Sequence, residues 1–154
     1  TCALPILSLM KKVLIIEDSQ IISELIEFQL NIHGDYDIEI VNNIEKMSDK
    51  DIEEADIILL DHFLGRKDNV MITGFDFVDK ITTNSELIII SGQKDVNIAI
   101  QYIEKGALAY FNKDKPNFLD ELSKIVHTIT ANHDPLTRKQ IQHDVLNNIN
   151  QSFS

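Results

Sequence analysis

Four short apolar runs in this sequence end on residues able to do chemistry. Val13-Leu14-Ile15-Ile16 runs into Glu17-Asp18, and Ile57-Ile58-Leu59-Leu60 into Asp61. Leu87-Ile88-Ile89-Ile90 runs into Ser91-Gly92, and Ala107–Phe111 leads to Lys113. Three carboxylates brought together repel one another unless a hard divalent cation sits among them, and Mg2+ favours carboxylate oxygens and water. A lysine and a hydroxyl beside such a cation suit a bound phosphoryl group, the recurring kit of phosphoryl transfer. A carboxylate can itself be the nucleophile and become an aspartyl phosphate.

The elements that must bring these residues together follow from hydropathy. Continuous apolar runs mark strands buried on both faces, hence a parallel sheet covered by helices. Tyr36–Val41 alternates and reads as another strand. Amphipathic stretches fall between the runs. Ile21, Leu25, Phe28 and Ile32 recur at helical spacing, with Ser19 as N-cap and Gly34 as the stop. Ile44–Glu54 is a weaker, short helix. Phe63–Thr73 reads as a loop, and Phe75, Val78 and Ile81 suggest a helix opening after Gly74. Asp95 caps a helix carrying Ile98, Ala99 and Ile103, which Gly106 ends. Pro116 suits the first turn of a helix with Phe118, Leu119, Leu122, Ile125, Val126 and Ile129 on its apolar face. Strict strand–helix alternation with right-handed crossovers gives a doubly wound α/β sandwich of five strands and five helices. In such a sheet, ligands bind beyond the carboxyl ends of the strands, where the four chemical termini converge.

The 154 residues suit one domain, and 44% apolar with 25% charged residues is globular composition. A net charge of −11 argues against a nucleic-acid-binding face and against docking on anionic membranes. Cys2 stands alone, so no internal disulfide forms, and a reduced cytoplasmic setting fits. Ala3–Leu7 is short, lacks a basic region before it and contains Pro5, unlike a signal peptide or a membrane span. Met10-Lys11-Lys12 reads as a natural start, so residues 1–10 read as a leader or cloning remnant. Residues 132–154 form a tail. Asp134-Pro135 can open a further helix there, with Ile141, Val145 and Ile149 at steps of four; the alternatives are a helix packed on its own domain, a partner-binding or dimerising helix, and a frayed tail.

From Lys12 to about Thr130 the sequence resembles the receiver domains of two-component response regulators, of the chemotaxis-regulator type. The resemblance rests on all the strand-end residues together and on their intervals, 30 residues from Asp61 to Ser91 and 22 from Ser91 to Lys113. It implies a flavodoxin-like (βα)5 three-layer sandwich with strand order 2-1-3-4-5 over residues 11–131. It implies that Asp61 is the phosphoacceptor. Asp18 and Asp61 would hold Mg2+ (or Mn2+) directly, Glu17 through water, and the Phe63 backbone carbonyl would add a ligand. Ser91 matches the switch hydroxyl, Gly92 the small residue beside it, and Lys113 the lysine that pairs with the phosphoryl group. Tyr110 matches the aromatic that turns inward when Ser91 moves. The implied partners are a histidine kinase or histidine phosphotransfer protein upstream and a protein target downstream, with phosphorylation-dependent homodimerisation as a further option. About 24 residues follow Thr130, too few for a winged-helix output domain, so the chain reads as a stand-alone regulator or as a receiver taken from a longer protein.

Several positions depart from the family. Gly65 stands where a proline is usual, the counterpart glycine Gly74 lies beyond an extended loop Arg66–Thr73, and Asp114 replaces the proline after Lys113. Without that proline a cis bond is costly, about 2.5–4 kcal/mol. Phe63, two residues after Asp61, can exclude the water that would cleave a phosphoryl group, and Gln93 can orient one, so these two are expected to set its lifetime. Strand alternation points His62 away from Asp61, towards a packing role. A phosphatase with an aspartate nucleophile would carry an acid at position 63, where this chain has Phe63. Glu17-Asp18-Ser19-Gln20 opposes a flavin-binding phosphate loop. A phosphorylation-independent interaction module is the alternative that remains.

Overall fold

The computed structural model describes residues 10–81, 85–92 and 95–152, with side chains to residue 149. The leader reading of residues 1–10 therefore lies, apart from Met10, outside the described residues, as does Gln93. Five parallel strands form the central sheet: β1 (Lys11–Ile16), β2 (Tyr36–Val41), β3 (Ile57–Asp61), β6 (Glu86–Ser91) and β7 (Ala109–Asn112), in the order β2-β1-β3-β6-β7. Counting only the strands of this sheet, that is the 2-1-3-4-5 order of a doubly wound, flavodoxin-like fold. The strands are buried because their side chains are apolar on both faces. All of β3 and β6 is buried, and Ile15, Ile58, Leu59 and Ile88–Ile90 are wholly so.

Five helices follow the strands: α1 (Gln20–His33), α2 (Asp49–Glu54), α3 (Phe75–Val78), α4 (Val96–Glu104) and α5 (Phe118–Ala131). Side-chain caps set several starts. Ser19 Oγ accepts from the Ile22 amide, and Asp95 Oδ1 accepts from the Asn97 amide. Ser48 and Asp51 form a reciprocal capping box, which starts α2 later than the apolar pattern suggests. The helix expected over Ile44–Glu54 is accordingly split into a 3-10 turn, Ile44–Lys46, and α2. Pro116 lies in the turn before α5 rather than in its first helical turn, since α5 opens at Phe118. A sixth helix, α6 (Pro135–Ser152), follows; Asp134 Oδ1 caps it through the Thr137 amide at 2.7 Å.

Two regions differ from the sequence expectation. The Phe63–Thr73 segment is not a loop but an antiparallel hairpin, β4 (Phe63–Lys67) and β5 (Val70–Thr73). Asp68 and Asn69 both take left-handed φ, 52° and 64°, the geometry of a two-residue hairpin turn that Asp and Asn tolerate. Gly65 has φ 101° where the hairpin register slips between Phe63 and Arg66, a glycine bulge. A proline, locked near φ −65°, could not hold that conformation. The second difference is α1. Ile21, Leu25, Phe28 and Ile32 face solvent, while Ser23, Ile26 and Leu30 face the sheet. Helical periodicity identifies an apolar stripe but not which way it faces, and here the helix carries two.

Candidate functional site

Backbone hydrogen bonds level the carboxyl ends of the strands. The Glu17 amide donates to the Val41 carbonyl, the His62 amide to Ile90, and the Lys113 amide to Ser91. This brings Glu17, Asp18, Asp61 and Lys113 to one rim. One carboxylate oxygen from each of Glu17, Asp18 and Asp61 lies within 4.8 Å of the others. Glu17 and Asp61 are buried and Asp18 is exposed at the mouth. Lys113 Nζ bridges the two buried acids, 2.8 Å from Glu17 Oε1 and 3.3 Å from Asp61 Oδ2.

The electrostatics follow from this crowding. Burial, then the hydrogen bond and the charge of Glu17, push the Asp61 carboxyl up to about 9, against the pull of Lys113. Burial of Lys113 works against its charge, yet its hydrogen bond to Glu17 and the charge of Asp61 outweigh it and raise the ammonium above its ordinary value. One lysine thus serves two buried carboxylates, and Glu17 Oε2 is buried with no hydrogen-bond partner. An orphaned carboxylate oxygen beside two further acid groups fits a hard divalent cation, which supplies the charge that a single lysine lacks.

Residues not singled out in the sequence hold this arrangement. Asn42 Nδ2 donates to the Glu17 carbonyl (2.8 Å) and to Ser23 Oγ (3.1 Å). Asn42 follows β2 directly, so extending the strand-end search to β2 would have found it. Asn112 Oδ1 accepts from the Asp114 amide at 2.9 Å, and its carbonyl accepts from Lys115. This side-chain turn shapes the segment after Lys113 without a proline, and every described peptide bond is trans. Gly92 faces Lys113 and Asp114.

Ser91 closes β6 and is 1% exposed, and its side chain hydrogen-bonds Tyr110, whose phenol burial raises above its ordinary value. Tyr110 itself is buried, in contact with the Ser91 hydroxyl. Phe63, the first residue of β4, is half-buried beside the hairpin. His62 is buried on the other side of β3. It hydrogen-bonds Tyr102 Oη at 2.6 Å and packs edge-on against Phe75 and Tyr102. Burial holds its imidazole below its ordinary value. Gly74 lies so close that a Cβ there would collide with the Tyr102 hydroxyl and approach Leu60 at 3.2 Å. Tyr102 also stacks on Phe75 and lies 6.2 Å from the Tyr110 ring, so one aromatic cluster joins the end of β3, α4 and β7.

Comparison with known proteins gives a consistent picture. No curated protein matches this sequence. Among solved structures, the signal receiver domain of a putative LuxO repressor protein from Vibrio parahaemolyticus is 25% identical, with a TM-score of 0.64 over 88% of this chain and 95% of that one. A receiver domain of a DNA-binding response regulator from Colwellia psychrerythraea 34H is 21% identical, with a TM-score of 0.67 over 79% of this chain and 98% of that one. A response regulator receiver domain protein from Clostridium thermocellum is 21% identical, with a TM-score of 0.61 over 92% and 98%. Among the described residues, no helix is long and apolar enough to cross a membrane. The family model described as the response regulator receiver domain matches residues 13–127, and the chain belongs to that family.

Proposed function

We propose that the chain works as a phosphorylation-switched module of a two-component pathway, with Asp61 as phosphoacceptor. The observation that carries this is the trio of Glu17, Asp18 and Asp61 with Lys113 bridging its two buried members. Asp18, Asp61 and the Phe63 carbonyl would hold Mg2+ or Mn2+, with Glu17 behind them. The cation would neutralise the cluster and the phosphoryl oxygens. A carboxylate oxygen of Asp61 attacks phosphorus, the donor's P–N bond breaks, and the imidazole leaves with the bond's electrons. Lys113, which contacts Asp61, would take the phosphoryl charge, and the Ser91 hydroxyl would donate to a phosphoryl oxygen. Phe63 and Gln93 would then govern access of the water that ends the signal; Phe63→Asn is expected to change the rate of dephosphorylation.

The partner is a protein donor, a histidine kinase or histidine phosphotransfer protein. α1 leaves the rim beside Asp18, and its outer face carries Ile21 (73% exposed) and Phe28 (68% exposed) in line with Leu25 and Ile32. An exposed apolar stripe of this kind marks a protein contact, and its place beside the mouth suits whatever brings the phosphoryl group.

The test is incubation with Mg2+ and acetyl phosphate, read by intact mass. The wild type is expected to gain one phosphoryl group, Asp61→Asn none, and the wild type none after chelation of the metal. Absence of any gain in wild type would favour a phosphorylation-independent interaction module.

A further inference from the structure

β7 is an edge strand of the sheet, and a bare edge invites pairing with another chain. Here α6 runs along it, against α4 and β7, and touches α5. Its first half is held by polar contacts. Glu86 is buried, and both its carboxylate oxygens accept from Arg138 Nε, at 3.0 and 3.1 Å. Arg138 Nη2 donates to the Gly106 carbonyl at 2.7 Å, and His133 Nε2 lies 3.0 Å from Glu86 Oε2. Gln142 Nε2 donates to the Ala107 carbonyl at 2.9 Å.

The second half is held differently. Ile141, Val145 and Ile149 are buried at steps of four. Between this half and α5 lies a groove of about 750 Å³ with Tyr110, Phe111 and Asn112 along it. The side-chain hydrogen bonds of Gln140 and Asn147 stay within the helix. So α6 is clamped at one end and rests on a partly filled groove at the other, the end nearer the acidic rim.

We infer that α4, β7 and α5 form a docking surface for an amphipathic helix, that α6 is its occupant in cis, and that the partner it fits is a helix of the same chemistry. That helix carries an arginine followed at three, seven and eleven residues by branched apolar side chains, the pattern of Arg138, Ile141, Val145 and Ile149. The arginine meets Glu86 and the apolar row meets the groove. Release of α6 is tied to Asp61 through Ser91, and this part rests on the phosphoacceptor reading. A hydroxyl has one proton to donate. Once a phosphoryl oxygen takes it, Ser91 can only accept from Tyr110, and the contact between the two side chains must reorganise. Tyr110 lines the groove, so the seat under Val145 and Ile149 shifts and α6 loosens.

The experiment titrates a fluorescent peptide of residues 133–149 into the full chain. The chain carrying Arg138→Ala, Val145→Asp and Ile149→Asp has its own α6 displaced and is expected to bind the peptide at least tenfold more tightly than wild type. A peptide with Arg138→Glu should bind that variant at least tenfold more weakly. Hydrogen exchange on the variant checks that β1, β3 and β6 stay protected. No peptide binding by a protected variant overturns the proposal. General loss of protection also overturns it, because α6 would then be part of the core rather than an occupant. A parallel sample of wild type is phosphorylated, verified by intact mass, and is expected to bind the peptide at least threefold more tightly than unphosphorylated protein. Verified phosphorylation without that gain overturns the coupling to Asp61. A sample that takes up no phosphoryl group refutes the phosphoacceptor reading instead, and the opened variant then decides the docking surface alone.

Discussion

The outer face of α1 and the outer face of β7 flank the same acidic rim but are finished in opposite ways. α1 turns Ile21, Leu25, Phe28 and Ile32 to solvent, although its other side already contributes Ile26 and Leu30 to the core. β7, with α4 and α5, is covered by α6. Leaving four large apolar side chains in water gives the monomer nothing, whereas covering an edge strand protects it. The open face is therefore suited to a contact that must be available at all times. The covered face suits a contact that must wait for release. Receiving and transmitting a signal place those two demands.

The two sides of α1 offer the sharpest test of that division. Ile26→Ala or Leu30→Ala removes wholly buried side chains and is expected to cost about 2–5 kcal/mol in urea unfolding. Phe28→Ala, on the exposed side, should stay within about 0.5 kcal/mol of wild type. A comparable loss from both would mean that the stripe is structural.

Function should invert the ranking. Phe28→Asp is expected to slow phosphotransfer from a protein donor about tenfold, equivalent to roughly 1.4 kcal/mol. Labelling by acetyl phosphate, which needs no docking surface, should be unchanged in the same variant. Equal loss with both donors would move the defect from the α1 face to the site itself.

The rim between the faces has its own signature. Burial and Glu17 raise the Asp61 carboxyl to about 9 in the folded chain, while the unfolded chain keeps the ordinary value near 4. Between those limits the folded state holds a proton that the unfolded state has lost. Without metal, the stability that this one group contributes is therefore fully present below pH 4 and is lost as pH rises towards 9. A fall in Tm between pH 5 and pH 9 is expected, where one kcal/mol corresponds to roughly 2–4 °C for a chain of this length. Mg2+ should remove most of that drop in wild type, and Asp61→Asn should flatten the profile without metal. If the slope survived Asp61→Asn, other carboxylates would be its source.

Much of this was legible in the sequence because parallel strands buried on both faces read as unbroken apolar runs. Their last residues locate the rim: Glu17, Asp61 and Ser91 need only the run and its end. The β4–β5 hairpin was not legible, because its turn is Asp68-Asn69 rather than a glycine pair and its strands mix charged with apolar residues. The orientation of α1 was hidden for a different reason. The helix has apolar residues on both sides, and only contact with the sheet selects Ile26 and Leu30 as the core side. Asn112 escaped because a side chain that bonds to backbone leaves no periodic trace, and Asn42 because β2 alternates and does not announce its end as the unbroken runs do. The groove under α6 depends on how two helices sit, which no spacing within either one records.

The smallest expected effect separates cover from core. Ile149 is buried as deeply as many core residues, yet the cost of truncating it has a ceiling that Leu30 lacks. Once the loss exceeds the docking free energy of α6, the helix lets go and the sheet stays folded, so local opening replaces global unfolding. The groove beside α6 lowers the cost further, since neighbouring side chains can relax into it. Ile149→Ala is therefore expected to cost about 1 kcal/mol, below the range for a core truncation. In native-state hydrogen exchange this should speed the amides of α6 about fivefold while those of β3 keep their wild-type rates. If β3 accelerated as much as α6, the two would unfold together, and the covered face would be as permanent as the core beneath it.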